Sequence, residues 1–193
     1  MQNLLNVASY RAGVTSLGPG KRFVVWLQGC PFDCENCMSQ SWIPFEVANL
    51  IDVEHLAKNI IDKNNIEGIT LSGGEPMMQA SMLTKLLSQV KAVRPDLNVI
   101  CFTGFKFTQL QWSESQQLLK YIDVIICGLY VDALNNNKGL RGSTNQEVIF
   151  LSDKLKQYEK SFLSGAREIE VTVANTDAFI TGMPAQGINL KEI

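Results

Sequence analysis

The chain is poor in the residues from which closed metal sites and phosphate-gripping surfaces are built. Its 193 residues include one histidine, His55, so a site closed by several imidazoles is excluded. Lys and Arg number 17 against 19 Asp and Glu, for a net charge of -2, and no basic run is present. Nucleic acid is therefore not an expected partner. No segment approaches the ~18 apolar residues of a membrane span, and the start, MQNLLNVASYRAG, lacks the basic and apolar regions of a secretion signal. A cytoplasmic protein without membrane attachment is expected. Cysteine is scarce and uneven: five in all, an odd number, with three of them between Cys30 and Cys37. That crowding excludes a disulfide framework spanning a fold and points to a reducing compartment with metal or redox chemistry.

What is present suits one packed core: 46% of residues are hydrophobic, and no linker, low-complexity tract or repeat divides residues 1–193. Phe23 to Leu27 is apolar and β-branched and predicts a buried strand ending just before the first cysteine. DVEHLAKNIIDKNN places Val53, Leu56, Ile60 and Ile61 at helical spacing behind a capping Asp52, and GITLSGGEP follows as a strand running into glycines. The alternation continues with MLTKLLSQVKAVR as helix, LNVICFTG as strand, TQLQWSESQQLLKY as helix and DVIICGLY as strand. Repeated β-α units imply a parallel sheet. Beyond it, LNNNKGLRGSTNQEVIFL reads as a loop leading to a turn, DKLKQYEKSF as a helix, and REIEVTVAN as a strand with one wet face. In parallel α/β folds functional loops gather at the carboxyl ends of strands, and those ends here carry GCPFDCENC, SGGEP, TGF and CGLY.

Thiolates at positions 30, 34 and 37 can wrap one corner of an iron-sulfur cube, leaving the fourth iron without a protein ligand. Three thiolates plus a water would also serve a catalytic zinc, and a zinc-binding interaction module without catalysis is the rival from another class. Gly-Gly followed by an acid, at Gly73, Gly74 and Glu75, lets the backbone approach a ligand closely and offers acceptors to an ammonium group.

The Cys30-x3-Cys34-x2-Cys37 motif resembles that of the radical S-adenosylmethionine enzymes, position for position. The resemblance implies a [4Fe-4S] cluster held by these three cysteines, with S-adenosylmethionine on the open iron. It explains the missing ligand, since a fourth cysteine would occupy the cofactor's place. It likewise implies that Ser72, Gly73, Gly74 and Glu75 hold the amino end of the cofactor's methionine, and that Asn36 and Met38, flanking the third thiol, face the cofactor. TGF (Thr103 to Phe105), DVIICGLY and LRGSTNQ resemble segments of the small activating enzymes of anaerobic ribonucleotide reductase, which brings Thr103 and Arg141 into the site and offers Asn145 or Gln146 to a ribose or substrate backbone. The likeness runs over about residues 15–150. It implies one partial (β/α)6-type, TIM-like barrel, with 151–193 as a possible substrate or partner region. SWIP after the cluster, together with GPGKRFVVWLQGCPF, resembles a stand-alone branch of single-cluster proteins related to these activases, a neighbourhood in which some relatives modify ribosomal peptides.

Two enzyme readings follow. In the first, hydrogen is abstracted from a precursor peptide during ribosomal peptide maturation, in the manner of spliceases, with an accessory recognition protein as a further partner. In the second, a glycyl radical is installed on a reductase-like protein. Flavodoxin or ferredoxin is the implied reductant in both. Cys101 and Cys127, inside apolar strands, are expected to be core residues, as are Trp26 and Trp112. Met77 and Met78 suit packing, Trp42 suits shielding of the cluster, and His55 is expected on a solvated helix face.

Overall fold

A computed structural model describes residues 3–174 and 177–185. Seven strands form one sheet in the order β3-β1-β2-β4-β5-β6-β7: β1 Leu4–Val14, β2 Arg22–Leu27, β3 Asn49–Asp52, β4 Gly68–Gly73, β5 Asn98–Thr103, β6 Val124–Cys127 and β7 Glu147–Phe150. β2, β4, β5 and β6 are parallel. Helices α1 (Val53–Ile61), α2 (Ala80–Val93) and α3 (Ser113–Leu119) make the three crossovers between them. The predicted strand-helix alternation is present, but with three crossovers where six units were expected. β1, β3 and β7 pair antiparallel and end the sheet on either side. Among the described residues no pairing joins β3 to β7, so the parallel-rich sheet is open at both ends and closure into a barrel is not seen, whereas the sequence leads us to expect a partial barrel with one open side.

Each element follows from its residues. All six positions of β2 are buried, as a central parallel strand covered on both faces requires. Their alternation sorts the two faces: Phe23, Val25 and Leu27 join the core beneath the helices, whereas Val24 and Trp26 point the other way. Asp52 caps α1 by accepting the Glu54 and His55 backbone N–H groups at 2.8 and 3.1 Å. Val53, Leu56, Ala57 and Ile60 then form the helix's buried stripe, and His55 is exposed, as expected.

The opposite face of the sheet is covered by the C-terminal segment. Its predicted helix is a 3-10 stretch, Asp153–Tyr158, followed by a short α4, Glu159–Leu163. Leu155 and Phe162 bury against Ile100, Val124 and Ile126. A hairpin of β8 (Ile169–Ala174) and β9 (Asp177–Gly182) follows, with Met183 and Phe179 packed in the cluster around Trp26. The Glu170 carboxylate fixes the hairpin by accepting from the Thr15 and Ser16 backbone N–H groups and hydroxyls. Residues 186–193 of the region proposed for partners lie outside the described residues.

Candidate active site at the carboxyl ends of the parallel strands

β2 delivers the cysteine loop. Gly29 turns the chain with φ +92, and a Cβ there would sit 2.9 Å from the Phe45 ring. The loop is closed at its base where Gly29 N–H donates to Trp42 O and Cys30 N–H to Ile43 O, both at 2.9 Å. Inside it, Cys37 N–H donates to Cys34 O at 3.1 Å, and Asn36 takes the left-handed conformation, φ 54. All three thiols are half-buried. Burial pushes the Cys30 thiol up to about 11 and raises Cys34 and Cys37 as well. One backbone N–H opposes this at each sulfur, from Phe32, Tyr130 and Ser39 respectively. Among the described residues no three His, Cys, Asp or Glu side chains converge as around a single ion. A cube presents a separate iron to each thiolate and asks for no such convergence. Three thiol donors on one short loop, each sulfur served by an N–H that favours its anionic form, fit the cluster.

β4 delivers the glycine turn onto that loop. Gly74 N–H donates to Leu27 O at 2.7 Å and Glu75 N–H to Gly29 O at 2.9 Å. The approach is possible only because both glycines lack a side chain: a Cβ on Gly73 would lie 2.5 Å from Leu27 N, and one on Gly74 would lie 2.8 Å from the Gly29 carbonyl carbon. Ser72 is half-buried beside Trp26 in the β2–β4 register. Glu75 is 1% exposed. Its Oε1 accepts from Met77 N–H at 2.9 Å and the Thr103 hydroxyl at 2.8 Å, and its Oε2 from Gly104 N–H at 2.7 Å. Burial outweighs these bonds and pushes the carboxyl up to about 7. β5 thus delivers Thr103 and Gly104 to the same node, while Phe105 packs edge-on against Phe32 of the cysteine loop, centroids 4.8 Å apart.

β6 delivers the last loop. Besides the Tyr130 N–H at Cys34, the Tyr130 hydroxyl donates to Asp132 Oδ1 at 2.5 Å and Asn36 Nδ2 donates to Asp132 Oδ2 at 3.1 Å. Asn36 is therefore tied to a neighbouring loop, and Met38 is 45% exposed. Asn145 Nδ2 donates to Leu129 O at 2.9 Å, while Gln146 brackets two segments, donating to Gly128 O at 2.7 Å and accepting from Gly142 N–H at 2.7 Å. The side chains offered to a ribose thus bind backbone. Arg141 donates from Nη1 to Thr144 O at 3.1 Å, within its own loop. Cys101 and Cys127 lie in the helix-side core. Met77 is buried and Met78 exposed, and Trp42 lies against Trp26 at 5.8 Å. Sequence reasoning missed Phe32, Asp132 and the Glu75 node, whose partners are far apart along the chain.

Residues 16–149 match the family described as "4Fe-4S single cluster domain". The chain belongs to that family. With its cysteine motif and the relatives below, it is a member of the radical S-adenosylmethionine superfamily, an enzyme whose cofactors are a [4Fe-4S] cluster and S-adenosylmethionine. The anaerobic ribonucleoside-triphosphate reductase-activating protein of Enterobacteria phage T4 is 37% identical over 136 residues, covering 68% of this chain and 85% of that one. The pyruvate formate-lyase-activating enzyme of Staphylococcus aureus is 27% identical over 155 residues, covering 74% of this chain and 60% of that one. Among solved structures, QueE from Escherichia coli aligns with 52% of this chain and 53% of that one at TM-score 0.40 and 17% identity.

Proposed function

We propose that this radical S-adenosylmethionine enzyme is an activating enzyme that installs a glycyl radical on a protein partner resembling an anaerobic ribonucleotide reductase. The observation that carries the reading is the likeness to reductase-activating proteins, which reaches 85% of the phage T4 relative's length. Of the two readings the sequence left open, it favours this one. The expectation of peptide maturation, and with it that of an accessory recognition protein, gains no support from the relatives named above.

Cys30, Cys34 and Cys37 would hold the cluster, with the Phe32, Tyr130 and Ser39 N–H groups stabilising charge on their sulfurs. The Gly73–Glu75 turn, pinned against Gly29, would hold the methionine end of the cofactor beside it. When bound, the cluster and S-adenosylmethionine would together supply one-electron cleavage of the cofactor's C–S bond and, through it, abstraction of one hydrogen atom from the partner. The chain's remaining task is to keep Cys30, the glycine turn and the Tyr130 loop in register while a partner loop enters. A low-potential donor of the flavodoxin or ferredoxin class supplies the electron. Among the described residues no helix is long and apolar enough to cross a membrane, and a reducing cytoplasm suits such a centre.

The test is anaerobic: reconstituted, reduced protein is mixed with S-adenosylmethionine and a candidate reductase-like protein from the same genome. A glycine-centred doublet in the EPR spectrum of the partner, stoichiometric with 5′-deoxyadenosine, is expected. Release of 5′-deoxyadenosine without a partner radical, together with a mass change in a short neighbouring peptide, would overturn the reading.

A further inference from the structure

We infer that the Glu75 side chain is a positioning residue: its carboxylate locks the ends of β4 and β5 onto the cysteine loop and acts on the cofactor through the Gly73–Gly74 backbone without touching it. The inference concerns the cofactor pair and rests on that part of the reading alone. Its measurements need no protein partner, so its failure and that of the activase reading are distinguishable.

Three donors from two strand ends already converge on this carboxylate: Met77 N–H at 2.9 Å, the Thr103 hydroxyl at 2.8 Å and Gly104 N–H at 2.7 Å. Both oxygens are engaged, and at 1% exposure the group is enclosed by its own chain. A carboxyl group suits the place, because both its oxygens can face the donors, whereas an amide would turn an NH2 toward one of them. From this node two paths reach the thiols. The first is the Glu75 backbone N–H, which holds Gly29 O at 2.9 Å, one residue before Cys30. The second runs through Gly104, where a Cβ would lie 2.5 Å from the Phe32 ring, so that the glycine fixed by Glu75 forms the seat of an aromatic side chain between Cys30 and Cys34. The acid of the Gly-Gly-Glu motif is thus the fastener of the turn, and the cofactor's ammonium is left to the carbonyls of that turn.

Thr103 separates this from direct ligation: the resemblance places it in the site, but its hydroxyl is spent on donating to Glu75 Oε1 at 2.8 Å and accepting from the Phe105 N–H at 3.2 Å, so here it acts on the cofactor only through the node. Reconstituted holoprotein is prepared as wild type, E75Q, T103V, T103S and the E75Q/T103V double variant. Iron per chain, S-adenosylmethionine affinity from EPR titration of the reduced cluster, and hydrogen exchange across residues 103–105 are measured. E75Q and T103V should each weaken cofactor binding by roughly tenfold, the loss expected when a buried donor to a charged group is unpaired. The double variant should be no worse than about the poorer single one, since both break one network. Iron loading should persist, exchange across 103–105 should quicken, and T103S should recover most of what T103V loses. Normal cofactor affinity in T103V beside a loss in E75Q would make Glu75 a direct ligand and overturn the proposal, as would multiplicative losses or normal affinity in both. Should E75Q fail to take up iron, the T103V and T103S pair decides by the same titration.

Discussion

Replacing Gly74 by Ala tests whether the close seating of the glycine turn on the cysteine loop sets up the cofactor site. The added Cβ would lie 2.8 Å from the Gly29 carbonyl carbon and closer still to its oxygen, both backbone atoms that no side-chain rotation can move aside. Ordinary contact begins at 3.4 Å, so the two loops must part by about 0.6 Å for the carbon alone. The bonds from Gly74 N–H to Leu27 O at 2.7 Å and from Glu75 N–H to Gly29 O at 2.9 Å flank the clash and stretch with it. Overpacking costs about 1–3 kcal/mol and a weakened buried hydrogen bond about 1 more, which together lower the melting temperature by roughly 5–15 °C for a domain of this size. Displacement on this scale at a reacting centre carries a loss of at least about tenfold in cofactor affinity or turnover. Melting curves, iron content and anaerobic cofactor titration of the reconstituted variant check this. Gly13→Ala is the control: its φ of +87 strains any side chain, but nothing lies within 4 Å, so about 1 kcal/mol of stability should be lost and no cofactor affinity. G74A protein that melts and binds cofactor like wild type would refute the reasoning.

Alanine at any one of Cys30, Cys34 or Cys37 should abolish 5′-deoxyadenosine release, and retained release from C30A protein would remove those thiols from the centre. Burial raises the Glu75 carboxyl from 4.5 to about 7. Its contribution to stability is therefore fully present below about pH 4.5 and lost as pH rises through about 7, at most about 3 kcal/mol in all. Urea midpoints of wild type at about pH 5 and about pH 7 should differ by more than those of E75Q, and equal slopes would contradict this. Phe162→Ala removes a fully buried ring from the cluster with Ile100, Val124 and Ile126 and should cost about 3–5 kcal/mol in denaturant titrations, with the cysteine loop untouched and iron loading retained.

The parallel strands were legible because they are short apolar runs bounded by glycines, and their helices because apolar residues recur at helical spacing behind a cap such as Asp52. β1 escaped because LLNVASYRAGV neither alternates nor stays apolar, and the strand is held by register with β2 and β3 more than by its own composition. β7 hides at the end of a glycine- and asparagine-rich stretch, and β3 has only four residues. In the site, residue types and spacing exposed the three thiols and the glycine turn. Burial of Glu75 among donors from residues 77, 103 and 104 was not legible, since folding alone brings those donors together. The same holds for Gln146, whose amide looks free in sequence and is spent on Gly128 and Gly142.

The family match begins at residue 16, yet β1 ends at Val14 and runs along the full length of β2. It also meets the site's base, where Gln28 N–H donates to Asn6 O at 3.0 Å and Gln79 Nε2 to the same oxygen at 2.9 Å. A fragment trimmed to the matched residues would turn β2, whose six residues are all buried, into a bare sheet edge beside the cysteine loop. Such an edge recruits strands from other molecules, so the trimmed fragment should associate and precipitate. The boundary of the family match and the boundary of the foldable unit are different places in this chain.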